Sequence, residues 1–380
     1  MRNVDAAGLG IGDDYRPRIM GVLNVSEESP YEPSVFDDPG EAAAYVDEEL
    51  IGEGADIVDV GLESANKRFE VLSAQEELDR LDTAVAAIES VSGDAVFSIE
   101  TRYHEVAEAA LDAGFDMVND ICGFADPEMP RICAERDVAV VKMASPPDLT
   151  RPGAVEDVDD IYDALKREGL TDKTIVDPAF GGWSEAKTLE DDHETFDRLR
   201  EFRALDRPIL VSINRKNFLR DIAGRSTEAA LPVSLAATAM AVERGAHVIR
   251  THDVAETRDA ALVGDAFART RLRTTVDVSV QELDVTTVGE MRRHLDRLGA
   301  TGEERRGVVR VFELSGLSPA ERDTLANAAR ATPVTVAGTD GDDRRLLVGT
   351  PADLDAVVES ASGRSDALDA ALSAVREIVE

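Results

Sequence analysis

Between residues 18 and 252, short apolar runs end repeatedly in a polar side chain that a core does not require. Asn24 closes RIMGVLN, Asp59 and Glu63 lie in ADIVDVGLE, and Glu100 closes AVFSIE; Asn119 lies in FDMVND, Asp177 closes TIVD, Lys216 lies in PILVSINRK, and Arg250 and His252 lie in HVIRTHD. These residues divide by type into two sets. Glu100, Asn119 and Asp177 suit a polar heterocycle, because a fixed carboxylate accepts paired N–H bonds. Arg215, Lys216, Arg250 and His252 suit a phosphate or pyrophosphate, and Asn24 offers a neutral oxygen ligand. Both sets meeting in one pocket point to a heterocycle bearing an anionic leaving group. Singly, each residue has an ordinary explanation: an aspartate after a strand is often a helix cap, and an Arg-Lys pair is usually solvated surface. Their common placement at strand ends argues for a site.

The elements that must position them alternate. Strands are expected near residues 18–25, 56–60, 95–99, 116–119, 138–143, 174–177, 208–213 and 247–251, with helical patterns between them, one of them N-capped by Ser73. Eight strands alternating with helices predict a (β/α)8 barrel, whose active site is built at the carboxyl ends of its strands. A doubly wound open sheet is the competing arrangement. The Pro-, Glu- and Ser-rich stretch 26–40 is long for a barrel loop and is expected to act as a lid. Residues 1–17 read as an irregular segment, 18–272 as the barrel, and 273–380 as a small α+β domain. In the last, Ser318, Pro319 and Glu321 form a helix-start signal, and a hairpin is expected around residues 339–342.

The chain has 380 residues and a net charge of −36, from 77 acidic against 41 basic residues spread along its length. The lysines are only Lys67, Lys142, Lys166, Lys173, Lys187 and Lys216, so arginine carries most of the positive charge. With 4% aromatic residues, this is the composition of a salt-adapted cytoplasmic protein that needs concentrated salt to screen its carboxylates. Such a surface repels phosphate backbones and anionic membranes, so neither nucleic acid nor a membrane is an expected partner. Cys122 and Cys133 fall in core-like segments and read as free thiols of a reducing compartment. The five histidines show no zinc-ligand spacing. No signal peptide is expected from the first residues, nor a membrane span from the longest uncharged stretch, Ala229 to Val242.

IMGVLNVSEES, GADIVDVGLES, SIETRYHEVAEAAL, GFDMVNDICGF, DPEM, IVDPAFG, NRKNF and RTHDV resemble, in order, the successive motifs of dihydropteroate synthase across residues 18–270. The resemblance implies condensation of a hydroxymethyl-dihydropterin diphosphate with p-aminobenzoate, giving dihydropteroate and pyrophosphate in folate biosynthesis. It implies that Asn24 reaches Mg2+ and the diphosphate, and that Glu100, Asn119 and Asp177 line the pterin pocket. Lys216 would donate to a ring acceptor, Arg250 and His252 would hold the pyrophosphate, and Arg215 and Asn217 would face the arylamine. It also implies a homodimer through barrel helices. The C-terminal part more loosely resembles an accessory domain of some long synthases.

The chain departs from the family pattern at several points. Glu100 replaces an aspartate, Ala65-Asn66 replaces a Thr-Arg pair that Lys67 or Arg68 could replace in charge, Ala144 stands where a histidine is usual, and Asn214 replaces a serine. The segment AFGGWSEAK is altered, displacing Lys187 and introducing Trp183, which could stack on a ring or simply pack. Pterin binding is better supported than p-aminobenzoate use. Two other readings remain open: a methyl-tetrahydropterin methyltransferase, and a paralogue that binds pterin without condensing it.

Overall fold

The computed structural model describes residues 3–25, 34–63, 71–150, 153, 155–167, 169–181, 186–268, 272–274, 278–339 and 343–379. Two compact units divide the chain at Glu282 and Leu283. The first opens with an antiparallel hairpin of β1 (Val4–Ala6) and β2 (Leu9–Ile11). Eight parallel strands follow: β3 (Arg18–Asn24), β4 (Ile57–Gly61), β5 (Val96–Thr101), β6 (Met117–Asp120), β7 (Ala139–Met143), β8 (Thr174–Asp177), β9 (Leu210–Val211) and β10 (Val248–Thr251). β10 pairs with β3, and a bridge between Val176 and Ile209 joins β8 to β9, so the ring closes as a (β/α)8 barrel. A parallel strand covered on both faces must be apolar nearly throughout, and β4, β6, β7 and β8 are buried at every position.

Helices α1 (Pro39–Tyr45), α2 (Ala74–Ser90), α3 (His104–Asp112), α4 (Glu128–Glu135), α5 (Val158–Lys166), α6 (Leu189–Asp197), α7 (Asn217–Ala223), α8 (Leu231–Glu243) and α9 (Val254–Phe267) surround the strands. Ser73 caps α2 in a reciprocal capping box with Glu76, as its sequence signal predicted. The helices and the outward faces of the strands share one large apolar layer.

Inside the barrel, residues near the amino ends of the strands, among them Met20, Ile57, Met117, Leu210 and Val248, form a separate apolar cluster. Val4, Ala6 and Ile11 belong to the same cluster. The opening residues, expected to be irregular, therefore form a hairpin that plugs the floor of the barrel. Its period-2 apolar positions supply the side chains that the barrel cannot provide for itself at that end.

Asp13, just beyond the hairpin, accepts from His247 Nε2 (3.2 Å) and Gln281 Nε2 (2.8 Å) and lies 3.5 Å from Arg203 Nη1. Burial works against its charge, but His247 and Arg203 outweigh burial and hold its carboxyl well below the ordinary range. His247 is itself pushed down by burial; its Nδ1 accepts from the Ile209 N–H (3.1 Å), which fits a neutral ring donating from Nε2. A depressed carboxyl contributes stability above its unfolded pKa and loses it as the pH falls toward the folded one. Asp13→Ala should cost about 2–4 kcal/mol at neutral pH, with a penalty that shrinks below about pH 4. Urea denaturation at the two pH values measures this, and a pH-independent penalty would contradict it.

The first unit also contains the hairpin of β11 (Leu272–Thr274) and β12 (Ser279–Gln281), which the sequence had placed with the second domain. The second unit has α10 (Val288–Arg297), β13 (Arg310–Leu314), α11 (Pro319–Ala329), β14 (Thr335–Ala337), β15 (Arg345–Gly349), α12 (Pro351–Ala361) and α13 (Asp366–Val379). Its antiparallel sheet runs in the order β13-β15-β14, and Leu314 and Leu347 pack with Leu325, Leu354, Val357 and Leu372 of the helices. Ser318 and Glu321 form the expected capping box with Pro319 in the first turn. Residues 340–342 of the expected hairpin lie outside the described residues, although β14 and β15 do pair antiparallel. Among the described residues, no helix is long and apolar enough to cross a membrane.

Candidate active site

The strand register places Asn24, Gly61, Glu100 and Asn119 side by side at one level of the barrel mouth. Asp59 lies two residues deeper on β4 and is fully buried. From β10, Arg250 donates through Nε to Asp59 Oδ2 (2.8 Å) and through Nη2 to Glu100 Oε2 (2.7 Å). Asn119 Nδ2 donates to the same Asp59 oxygen (2.9 Å). Asp177, at the end of β8, accepts from the Ala179 N–H (2.8 Å). A narrow pocket is lined by Glu100, Asn119, Asp177, Ser212 and Arg250, with Ile121, Met143 and Phe180 as its apolar wall.

Lys216 is the N-cap residue of α7, and its side chain lies over Gly181. A Cβ at Gly181, where φ is +105°, would come within 3.0 Å of Lys216 Nζ and Cδ, so the close approach requires glycine. The Gly181 loop is fastened from below. Asp192 accepts from the Gly181 N–H at 3.1 Å, Lys187 Nζ lies 3.3 Å from Asp192, and the same Nζ donates to the Ala179 carbonyl at 3.0 Å.

Burial sets the electrostatics of this mouth. It raises Glu100 to about 7, with Arg250 and Lys216 pulling down and Asp59 and Glu63 pushing up. It raises Asp177 to about 6 against the Ala179 N–H and the charges of Lys216 and Arg250. The Lys216 ammonium is pushed down by burial, with Asp177 opposing the shift. Burial also opposes the Arg250 cation, but Glu100 and Asp59 outweigh it and keep the guanidinium charged. His252 falls to about 3 through burial and the neighbouring Arg250, so it is a neutral ring at physiological pH instead of a member of a cationic cluster.

The structure thus brings Glu100, Asn119, Asp177 and Arg250 into one pocket and keeps others apart. Asn24 sits on the rim, where its Nδ2 donates to Ser34 Oγ (2.8 Å). Arg215, at φ 53°, forms a two-pronged pair with Asp253 (2.8 Å each) and also donates to the carbonyls of Thr227 and Glu228, so its guanidinium ties three segments together. Asn217 is exposed and accepts from Arg220 (2.9 Å). Lys67, Arg68, Ala65, Asn66 and Trp183, and residues 26–33 of the expected lid, lie outside the described residues.

Two residues gained importance over their sequence reading. Asp59 was visible as a polar interruption of a strand, yet only the fold shows that it anchors Arg250. Arg102 is fully buried and donates to Glu63, to the Leu72 and Leu149 carbonyls (2.6 and 3.1 Å) and to the Tyr103 hydroxyl (2.8 Å). It joins the loops after β4, β5 and β7. Its only sequence signal is a charged residue directly after an apolar strand.

A closed barrel whose mouth combines buried carboxylates with a fixed guanidinium is the frame of an enzyme for a polar heterocycle and an anion. Comparison with known proteins narrows this. The profile described as pterin binding enzyme matches residues 20–252. A probable bifunctional folylpolyglutamate synthase/dihydropteroate synthase of Haloferax volcanii is 35% identical over 280 residues, covering 70% of this chain and 32% of that protein. The chain therefore spans about a third of that relative's length. A dihydropteroate synthase of Clostridium beijerinckii is 32% identical over 261 residues, 67% of this chain and 95% of that one. The solved dihydropteroate synthase of Coxiella burnetii in complex with pteroic acid aligns with a TM-score of 0.58 at 29% identity, covering 70% of this chain and 98% of that chain. The chain belongs to the pterin-binding enzyme family, among the dihydropteroate synthases.

Proposed function

We propose that this chain condenses 6-hydroxymethyl-7,8-dihydropterin diphosphate with p-aminobenzoate or a related arylamine, releasing 7,8-dihydropteroate and pyrophosphate. The observation that carries this reading is Arg250 held between Asp59 and Glu100 beside Asp177, a fixed cation in a pocket otherwise built to accept N–H donors. Asp177 would accept from the guanidine-like edge of the pterin and Lys216 would donate to a ring acceptor. Arg250 and the neutral His252 would face the diphosphate, where negative charge builds as the C–O bond breaks. The arylamine nitrogen forms the new C–N bond and gives up a proton. Positioning and anion stabilisation are the whole of the protein's task, and no covalent nucleophile is needed.

Mg2+ is part of this reading. With its amide nitrogen engaged by Ser34, Asn24 keeps its oxygen for the mouth, where a Cβ on Gly61 would meet it at 3.2 Å. One neutral protein oxygen fits an ion that takes most of its ligands from water and substrate phosphate. Bound there, Mg2+ would neutralise charge on the leaving diphosphate.

We extend the reading to a salt-adapted, cytoplasmic protein of archaeal type, supported by the acidic, lysine-poor composition and the Haloferax relative. We also read it as a homodimer: α7 and α8 expose Ile222 and Met240 at an apolar groove and α9 exposes Val263 and Phe267, apolar surface that suits a second copy. Light scattering in molar KCl should give twice the chain mass, and a monomer there would remove the dimer.

The test of function is incubation in molar KCl with Mg2+, the pterin diphosphate and p-aminobenzoate, with dihydropteroate detected by mass. Binding of the diphosphate without product would favour another arylamine or the non-condensing paralogue. Pterin affinity should also rise as the pH passes upward through about 6, because Asp177 accepts paired N–H bonds on both oxygens only when ionised. Calorimetric titration across pH 5 to 8 reads this, and an affinity flat over that range would take Asp177 out of the recognition step.

A further inference from the structure

We propose that Asp59 is a positioning residue for the reaction: one oxygen, Oδ2, receives both Arg250 Nε and Asn119 Nδ2, so the guanidinium and the amide of the pocket are set from a single fixed point. This rests on the functional reading above.

Asp59 is fully buried within β4, between the apolar residues Val58 and Val60, and it pairs in register with Val22 and Ser98. Its other oxygen, Oδ1, has no hydrogen-bond partner among the described residues. A buried carboxylate with half of its acceptor capacity unmet is costly to a fold, and a side chain that only filled the barrel would carry no charge there. The charge does act on the mouth. Glu100, the second carboxylate on Arg250, is faced by Arg250 from β10, by Asp59 from β4, by Glu63 from the loop beyond it and by Lys216 from the start of α7. Of these, Asp59 and Glu63 hold the Glu100 proton on, while Arg250 and Lys216 drive it off. Asp59 thus fixes where Arg250 points and tunes how firmly Glu100 competes for it.

Asp59→Asn separates charge from geometry, since an amide oxygen in the Oδ2 place accepts from both donors and the amide nitrogen takes the place where Oδ1 has no donor. The readout is the affinity of pteroic acid against pH, which does not require the condensation to run. Wild type should show an inflection near pH 7 that Glu100→Gln abolishes. In Asp59→Asn that inflection should move to lower pH, and in Asn119→Ala, where Asp59 loses a donor and its charge is less offset, to higher pH. In Asp59→Ala, kcat should fall about 10- to 100-fold with the KM for the arylamine within about twofold, because only the anchoring of Arg250 is lost. An inflection at the wild-type pH in Asp59→Asn, or in Asn119→Ala should Asp59→Asn fail to fold, would overturn the proposal. So would a wild type with no inflection. A wild type that binds pteroic acid but makes no product with p-aminobenzoate or any related arylamine would end the functional reading and leave these titrations able to decide on Asp59.

Discussion

Arg250→Ala is expected to lower kcat by about three orders of magnitude, the size of effect seen when a fixed donor is removed from developing negative charge in a dry site. The loss should fall on kcat more than on pterin affinity, because Asp177 and Lys216 stay in place. It should also destabilise the fold. Arg250 is the partner of both Asp59 and Glu100, and its removal leaves two buried carboxylates facing each other, a penalty of about 3–5 kcal/mol when one side of a buried pair is deleted. Protonation of Glu100 relieves part of that cost, since its carboxyl, already raised to about 7, loses its principal cation. Stability of the variant should therefore fall as the pH rises through neutrality, more steeply than in wild type: a carboxyl whose folded pKa lies above its unfolded value contributes fully below the latter and loses that contribution as it ionises. Arg250→Lys should recover little, as one ammonium cannot reproduce the two-carboxylate fork. Single-turnover product formation and urea denaturation measure the two effects, and a kcat within tenfold of wild type would remove Arg250 from the chemistry.

Lys216→Ala should weaken pterin binding by at least about 100-fold, because a site built to hydrogen-bond a ring is left with an unpaired acceptor and an open face. Two secondary effects distinguish this from a general collapse. Lys216 is one of the cations that hold Asp177 down, so the pH at which pterin binding appears should move upward in the variant. Gly181→Ala should reproduce much of the loss without touching a polar group, since the new methyl takes the space of Lys216 Cδ and Nζ and strains a residue at φ +105°. Calorimetric titration with pteroic acid decides both. Unchanged affinity in Lys216→Ala would exclude it from the pocket.

The barrel strands were legible because a parallel strand buried on both faces must be an apolar run, and such runs stand out between charged helices. Their polar ends were legible for the same reason: Glu100, Asn119 and Asp177 interrupt patterns that otherwise have no need of them. What each side chain does once the strands are laid together was less so. Asp59 and Arg250 are 191 positions apart and meet only because β10 returns to β3 beside β4. Arg215, read as a ligand of the arylamine, spends its guanidinium on Asp253 and two carbonyls, a tie between loops that no local pattern reveals. β9, expected over residues 208–213, is ladder-paired only at Leu210–Val211, since the segment beyond turns to place Arg215 and Lys216. The opening hairpin is too short, and too broken by glycine, to read as strand without the barrel floor it fills.

That hairpin has a bearing on how the chain is made. Val4, Ala6 and Ile11 precede every barrel strand in synthesis, yet the surface that receives them includes Leu210 and Val248, and Asp13 waits for His247 and Gln281. On a ribosome adding roughly 5–20 residues per second, their seat is unfinished until all eight strands have emerged. During those seconds an apolar strand pair is left without its destination. Its docking closes some of the most sequence-distant contacts of the barrel and ties a strand pair made ahead of the barrel to its last strands.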